Sequence, residues 1–232
     1  MTGAGIPEEW AEVERGAARV DKVDPGAIDE VARQFADASR DAGDRTADLT
    51  NAAAPLAEGG VWEGPAADAF FGYVTRVAEA GERVTGKLDE VAGELTALGE
   101  TLAGIKDRIG DVVRDARTTI DDRNASAQER ADTAASEMRA YDNGERDTPP
   151  APTSAEIIRA AGEANSGTAR AASDDIDGLL RQANEAIRSA QELMRTEIGG
   201  GFSDVAPPGQ AGNRQTATGG IAPGGGASGA GG

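Results

Sequence analysis

Phe70, Val74, Val77, Gly81, Val84, Leu88, Val91, Leu95, Leu98, Leu102, Ile105, Ile109, Val112 and Ala116 follow one another in steps of four and three residues without a lapse. A mean spacing of 3.5 sustained over roughly six and a half heptads keeps one face of an α-helix turned toward a neighbour and imposes a left-handed supercoil. A strand buries every second residue, so this rhythm points away from a sheet. Composition agrees. The chain is 38% hydrophobic, much of that alanine, and only 3% aromatic. Its core must therefore be thin, of the kind made by helices lying side by side with small residues between them. The expected class is all-α: an elongated antiparallel helical hairpin or bundle of three main helices with coiled-coil-like packing and a disordered C-terminal tail.

The element limits follow from capping and breaking residues. Asp24 is placed to cap a first main helix with Pro25 at its first position, where a missing N–H costs nothing. Its apolar or small residues recur at Ile28, Val31, Phe35, Ala38, Ala42, Leu49, Ala52 and Leu56, and Gly59-Gly60 should end it. Pro55 is expected to kink or shorten its last turns. The second helix starts at Pro65 and carries the long stripe. Beyond Ile120 only Ala131, Ala134, Met138 and Tyr141 keep the face, so a fray or break is expected near Asn124. Glycine and three prolines mark residues 142–153 as a linker, and Ser154 is read as the cap of a third helix. Ile158, Ala161, Ala169, Ala172, Ile176, Leu180, Ala183, Ile187, Ala190 and Met194 form its stripe, expected to pack on the distal half of the second helix. The resulting organisation is an N-terminal extension at 1–23, a hairpin at 24–141, the linker at 142–153, the third helix at 154–198 and a Gly/Pro-rich tail at 199–232, too poor in large apolar groups to order itself. Within the extension a short helix around Trp10 to Arg19 is expected, with Trp10 and Val13 docking on the bundle.

Inventory narrows the chemistry. The chain has no cysteine and no histidine, which removes disulfides, thiolate nucleophiles, the usual zinc sites and imidazole acid-base catalysis. A formal charge of -18 opposes binding to nucleic acid or an anionic membrane, both of which are held by Lys and Arg. No segment approaches the roughly 20 apolar residues that span a bilayer, and the N-terminus MTGAGIPEEWAEVERGAARV lacks a basic region followed by an apolar run. Neither membrane insertion nor a conventional signal peptide is expected. GERVTGKL, Gly81 to Leu88, has the spacing of a phosphate-binding loop, but Leu88 stands where Ser or Thr would hold magnesium, no strand precedes it, and its N–H groups fall inside a helix. SDDIDGLLRQAN, from Ser173, imitates a calcium loop through Asp175, Asp177 and Gly178, yet Asn184 replaces the bidentate glutamate. The 41 acidic residues make carboxylate pairs commonplace, and a thin bundle offers little burial to shift a catalytic acid. No catalytic residue, cofactor or metal site is assigned, and enzymatic activity is not expected.

One stretch departs from this pattern. GGVWEGPAADAF, Gly59 to Phe70, places one of only two tryptophans at a glycine- and proline-rich turn. Trp62 is expected to cross the hairpin end as a plug. Gly64 should supply a backbone conformation or a close approach that a Cβ forbids, and Pro65 should fix the start of the second helix. The order in ADLTNAAAPLAEGGVWEGPAADAFFGYV, helix, Trp-x-Gly turn, Pro-Ala-Ala, second helix, resembles the WXG superfamily of type VII (ESX) secretion substrates. That family includes small helical hairpins, longer PPE-like relatives and the N-terminal domains of secreted toxins. The resemblance covers roughly residues 25–116.

What the resemblance implies is export through a type VII (ESX-like) system by a route independent of a signal peptide, to the outside or the cell surface. It also implies a Tyr-x-x-x-Asp/Glu export signal after the second helix, matched by Tyr141-Asp142-Asn143-Gly144-Glu145. Trp62 and Gly64 would form the recognition tip, and Tyr141 and Glu145 would be read by the secretion ATPase. In the family the two motifs act side by side from different subunits. Here a continuous helix from Pro65 to Tyr141 would hold them ~115 Å apart at 1.5 Å per residue. A partner is therefore expected, either another helical hairpin protein or a second copy. The alternatives are a cytoplasmic coiled-coil adaptor or chaperone for a secreted partner, and the delivery portion of a polymorphic toxin.

Overall fold

The computed structural model describes residues 5–58, 62–196 and 205. Among the described residues are four α-helices, α1 (Trp10–Ala17), α2 (Pro25–Glu58), α3 (Pro65–Asp142) and α4 (Ser154–Arg195), and no strand. The all-α class read from the heptads is thus the class observed. The expected stop at Gly59-Gly60 and, Val205 apart, the expected tail lie outside the described residues.

Local chemistry sets the helix ends. The Asp24 carboxylate accepts from the Ala27 N–H at 3.2 Å, which makes Asp24 the cap and Pro25 the first residue of α2. α2 continues through Pro55 to Glu58. At α4 the cap is Thr153 and not Ser154, which is already helical. The Thr153 hydroxyl accepts from the Glu156 N–H at 3.3 Å, while the Glu156 carboxylate accepts from the Thr153 N–H at 2.8 Å. This reciprocal T-x-x-E box satisfies two donors that would otherwise have no partner. α3 shows no break at Asn124 and runs as one helix of 78 residues. The polar residues that interrupt its stripe, Arg123 and Asn124, are paired across the seam with α4.

Contacts divide the described chain into two compact units, one drawn from residues 5–34 and 91–196, the other from residues 35–58 and 62–90. In the first, α1, the start of α2, α3 and α4 surround one apolar core. Trp10 and Val13 from α1, Leu102, Ile105, Ile109 and Ile120 from α3, and Ile176 and Leu179 from α4 are buried together, with Val23 and Ile28 packed against them. Fully burying an Ile or Leu side chain contributes about 1.5–3 kcal/mol, so these residues dominate the stability of this unit. α1 lies against α4, where a Cβ on Gly16 would approach Ile176 Cγ2 to 2.9 Å. Trp10 is 5% exposed, its indole N–H donates to Glu14 at 3.0 Å, and the Arg117 guanidinium lies 5.8 Å from its ring centroid. Such a cation–π pair adds about 1 kcal/mol. The docking expected of Trp10 and Val13 is observed.

The second unit pairs α2 with the first part of α3. Ser39 donates to the Thr85 carbonyl at 3.1 Å, and a Cβ on Gly81 would collide with the Thr46 side chain. Gly81 therefore permits close approach of the two helices. The buried face of α2 differs from the one read in sequence. Val31, Ala38, Ala52 and Leu56 are exposed, whereas Ala32, Ser39 and Ala53 are buried, with Thr46 half-buried. The seam runs one step to the side because it is built from the smallest side chains, and the two hydroxyls that α2 places on it are satisfied, Ser39 by the Thr85 carbonyl and Thr46 by the Ala42 carbonyl at 2.9 Å, while the Thr85 hydroxyl opposite is buried without a partner.

Candidate functional site

The sequence nominates two places, and each is built by a helix end. At the first, Gly64 has φ +103° and its carbonyl accepts from the Asp68 N–H at 3.0 Å, leading into the first turn of α3. That φ is one an L side chain rarely adopts, while a Cβ at Gly64 would meet nothing within 4 Å. Of the two reasons offered for glycine here, the backbone conformation is the one realised and the close approach is not.

Trp62 does not plug the hairpin. It is 40% exposed and lies against the first turns of α3, with its ring 5.2 Å from Phe70 and 6.0 Å from Phe71, both tilted. Phe70 and Phe71 meet edge to face at 5.5 Å. Three rings thus brace one another at the start of α3, an arrangement worth about 0.5–1.5 kcal/mol per pair beyond burial. The apolar stripe includes Phe70 and passes over Phe71, which lies one position off the seam. Adjacent aromatic residues in so ring-poor a chain were the available signal.

The second place is the end of α3. Gly144 has φ +78°, its N–H bonds the Tyr141 carbonyl at 2.9 Å, and the Glu145 N–H bonds the Ala140 carbonyl at 2.8 Å. This paired pattern with a left-handed glycine is a Schellman stop. Arg146 then reaches back to Glu137 at 2.7 Å. Tyr141, on the last turn, is 40% exposed, and Glu145, just past the glycine, is exposed as well. The two side chains therefore stand at either end of one fixed turn, open to solvent. Gly144 was read only as a mark of the linker and the Arg146–Glu137 pair was given no role from the sequence, although a glycine shortly after the last apolar helical residue is a stop signal.

The rejected motifs lie within helices. Gly81 to Leu88 is part of α3, and Ser173 to Asn184 is part of α4, with Ile176 buried in the core. Among the described residues no group of His, Cys, Asp and Glu is arranged to hold a metal, and no helix is long and apolar enough to cross a membrane.

Two antiparallel helices joined by a Trp-x-Gly turn, with a glycine-specific backbone and a bracing aromatic cluster, define a helical-hairpin class. Residues 22–105 match the family model WXG100, described as proteins of 100 residues with WXG, and this stretch belongs to the WXG superfamily. The match takes in α2, the turn and α3 as far as Ile105; α1, the remainder of α3 and α4 lie outside it. The family is one of helical proteins associated with type VII secretion that typically form hairpin dimers. No curated protein and no solved structure matches the chain.

Proposed function

We propose that this chain is a non-enzymatic helical protein exported by a type VII system, acting by association with another helical hairpin. The observation that carries the reading is the match across α2, the turn and α3, with Trp62 and Gly64 in the connection the family is named for. Trp62 and Gly64 form the hairpin-tip recognition motif. Tyr141 and Glu145 form the export signal read by the secretion ATPase, at a turn whose backbone is already fixed and whose side chains face solvent. An uninterrupted helix of 78 residues separates the two motifs along the chain, so a second subunit supplies the neighbour that each lacks.

The second unit supports such a partner. Apart from Val74 its buried residues are small, among them Ala53, Ala67, Ala80 and Ser39, while Phe35, Leu49, Phe70, Phe71 and Leu88 stay half-buried. A two-helix layer has one inner face only, and further helices would cover the remainder. Replacing Tyr141 by alanine tests the export reading. We expect the variant to keep its helicity and stay in the cell while the unchanged protein accumulates in the medium without lysis. Equal export of both removes the signal from Tyr141, and retention of both returns the chain to the cytoplasmic adaptor.

A further inference from the structure

The seam between α3 and α4 changes character at one buried amide. Asn165 is 0% exposed. Its side-chain oxygen accepts from Arg123 at 2.8 Å, its side-chain nitrogen donates to Asn124 at 2.7 Å, and Arg123 also donates to Thr168 at 3.1 Å. All the groups drawn out of water at this level are thereby partnered. On one side lies the core of large side chains around Ile109, Ile120, Ile176 and Leu179. On the other lies a separate cluster made of Ala127, Ala131, Ala134 and Ala161 with Ile157. A methyl group removes far less apolar surface than an Ile or Leu side chain, so the alanine side holds the two helices much less firmly.

We propose that Asn165 is a clasp dividing this helical pair into a firm segment and an openable one. The openable segment comprises residues 127–141 of α3 and 154–164 of α4. It separates and recloses while the large-residue core stays packed. Two features make the opening local. The amide node can break and rehydrate without exposing Ile109 or Ile176, and the intervening residues 143–153 join the two helical arms of the openable segment to each other, so separation there leaves every other connection in place. Local opening of a weakly packed end at a free energy well below global unfolding is the general behaviour of such segments. The end that opens is the one that carries Tyr141. The opening stands on the packing alone; only its use in presenting Tyr141 rests on the export reading above.

Hydrogen exchange on the full chain, followed by mass spectrometry, tests the clasp. Amides in 131–141 and 158–164 should exchange at least about tenfold faster than those in 102–120 and 172–187. Asn165→Ala should quicken the first set further and leave the second unchanged. Equal protection of the two sets in the unaltered protein overturns the proposal, whatever the variant does. So does an Asn165→Ala variant in which both sets accelerate together. Neither measurement depends on export, so a failed clasp and a failed signal give different results.

Discussion

Gly81 and Thr46 show how closely single residues set the spacing of α2 and α3. A methyl group at Gly81 would run into the Thr46 side chain. Gly81→Ala gains about 1 kcal/mol of helix propensity but overpacks the contact, which costs about 1–3 kcal/mol. The single variant should lower the urea midpoint, while Gly81→Ala combined with Thr46→Ala should raise it above that of Thr46→Ala alone. Additive effects in this double-mutant cycle would show that the two residues do not meet. The same contact shows why the buried face of α2 was misread. Hydrophobicity alone selects Val31, Ala38, Ala52 and Leu56, yet close approach selects size, and Ser39 and Thr46 are small enough once their hydroxyls find carbonyls. The role of Gly81 was legible because a glycine on an apolar stripe leaves a gap that a neighbouring helix must fill. The roles of Ser39 and Thr46 depend on hydrogen bonds that form only after packing.

At the scale of elements, α4 owes its start to the box formed by Thr153 and Glu156. Thr153→Ala should cost about 1 kcal/mol. The Glu156 carboxyl is held below its ordinary value of 4.5, first by the Thr153 backbone N–H and then by the Thr153 hydroxyl. Glu9 is lowered as well, chiefly by its own backbone N–H, with Arg170 assisting. A carboxyl whose value is lower folded than unfolded adds stability that is fully present above the unfolded value and lost as pH falls through the folded one. Thermal melts should therefore show the gap between the unaltered protein and Thr153→Ala narrowing as pH drops below about 4.5. A gap that widens on acidification contradicts the box. The long stripe of α3 was readable over its whole apolar length because large residues at 3.5-residue spacing admit one interpretation. Its continuation past Ile120 was not, since Arg123 and Asn124 look like a break until Asn165 is seen opposite them.

For the whole molecule, a net charge of -18 and exposed pairs such as Arg33–Glu30 and Arg159–Glu163 keep the surface soluble but contribute little to stability, typically about 0–1 kcal/mol each. On the proposed pairing, light scattering of the protein, alone or mixed with a helical hairpin protein of the same family, should give a species heavier than the 23.6 kDa chain. A chain that remains at that mass in every mixture and is still exported removes the partner. The hairpin itself was legible from one triplet set between two amphipathic segments. The place of Trp62 was not, because an indole at a turn satisfies a plug and a brace against the next helix equally well until the adjacent phenylalanines are located.

The two tryptophans ended in opposite surroundings, Trp10 at 5% exposure in one unit and Trp62 at 40% in the other. Nature has in effect supplied a pair of optical reporters. One emits from a dry interior and the other from a wet rim, so collisional quenchers will silence the rim first. A label-free spectrum can then follow a visitor arriving at the turn while the buried indole serves as the steady reference.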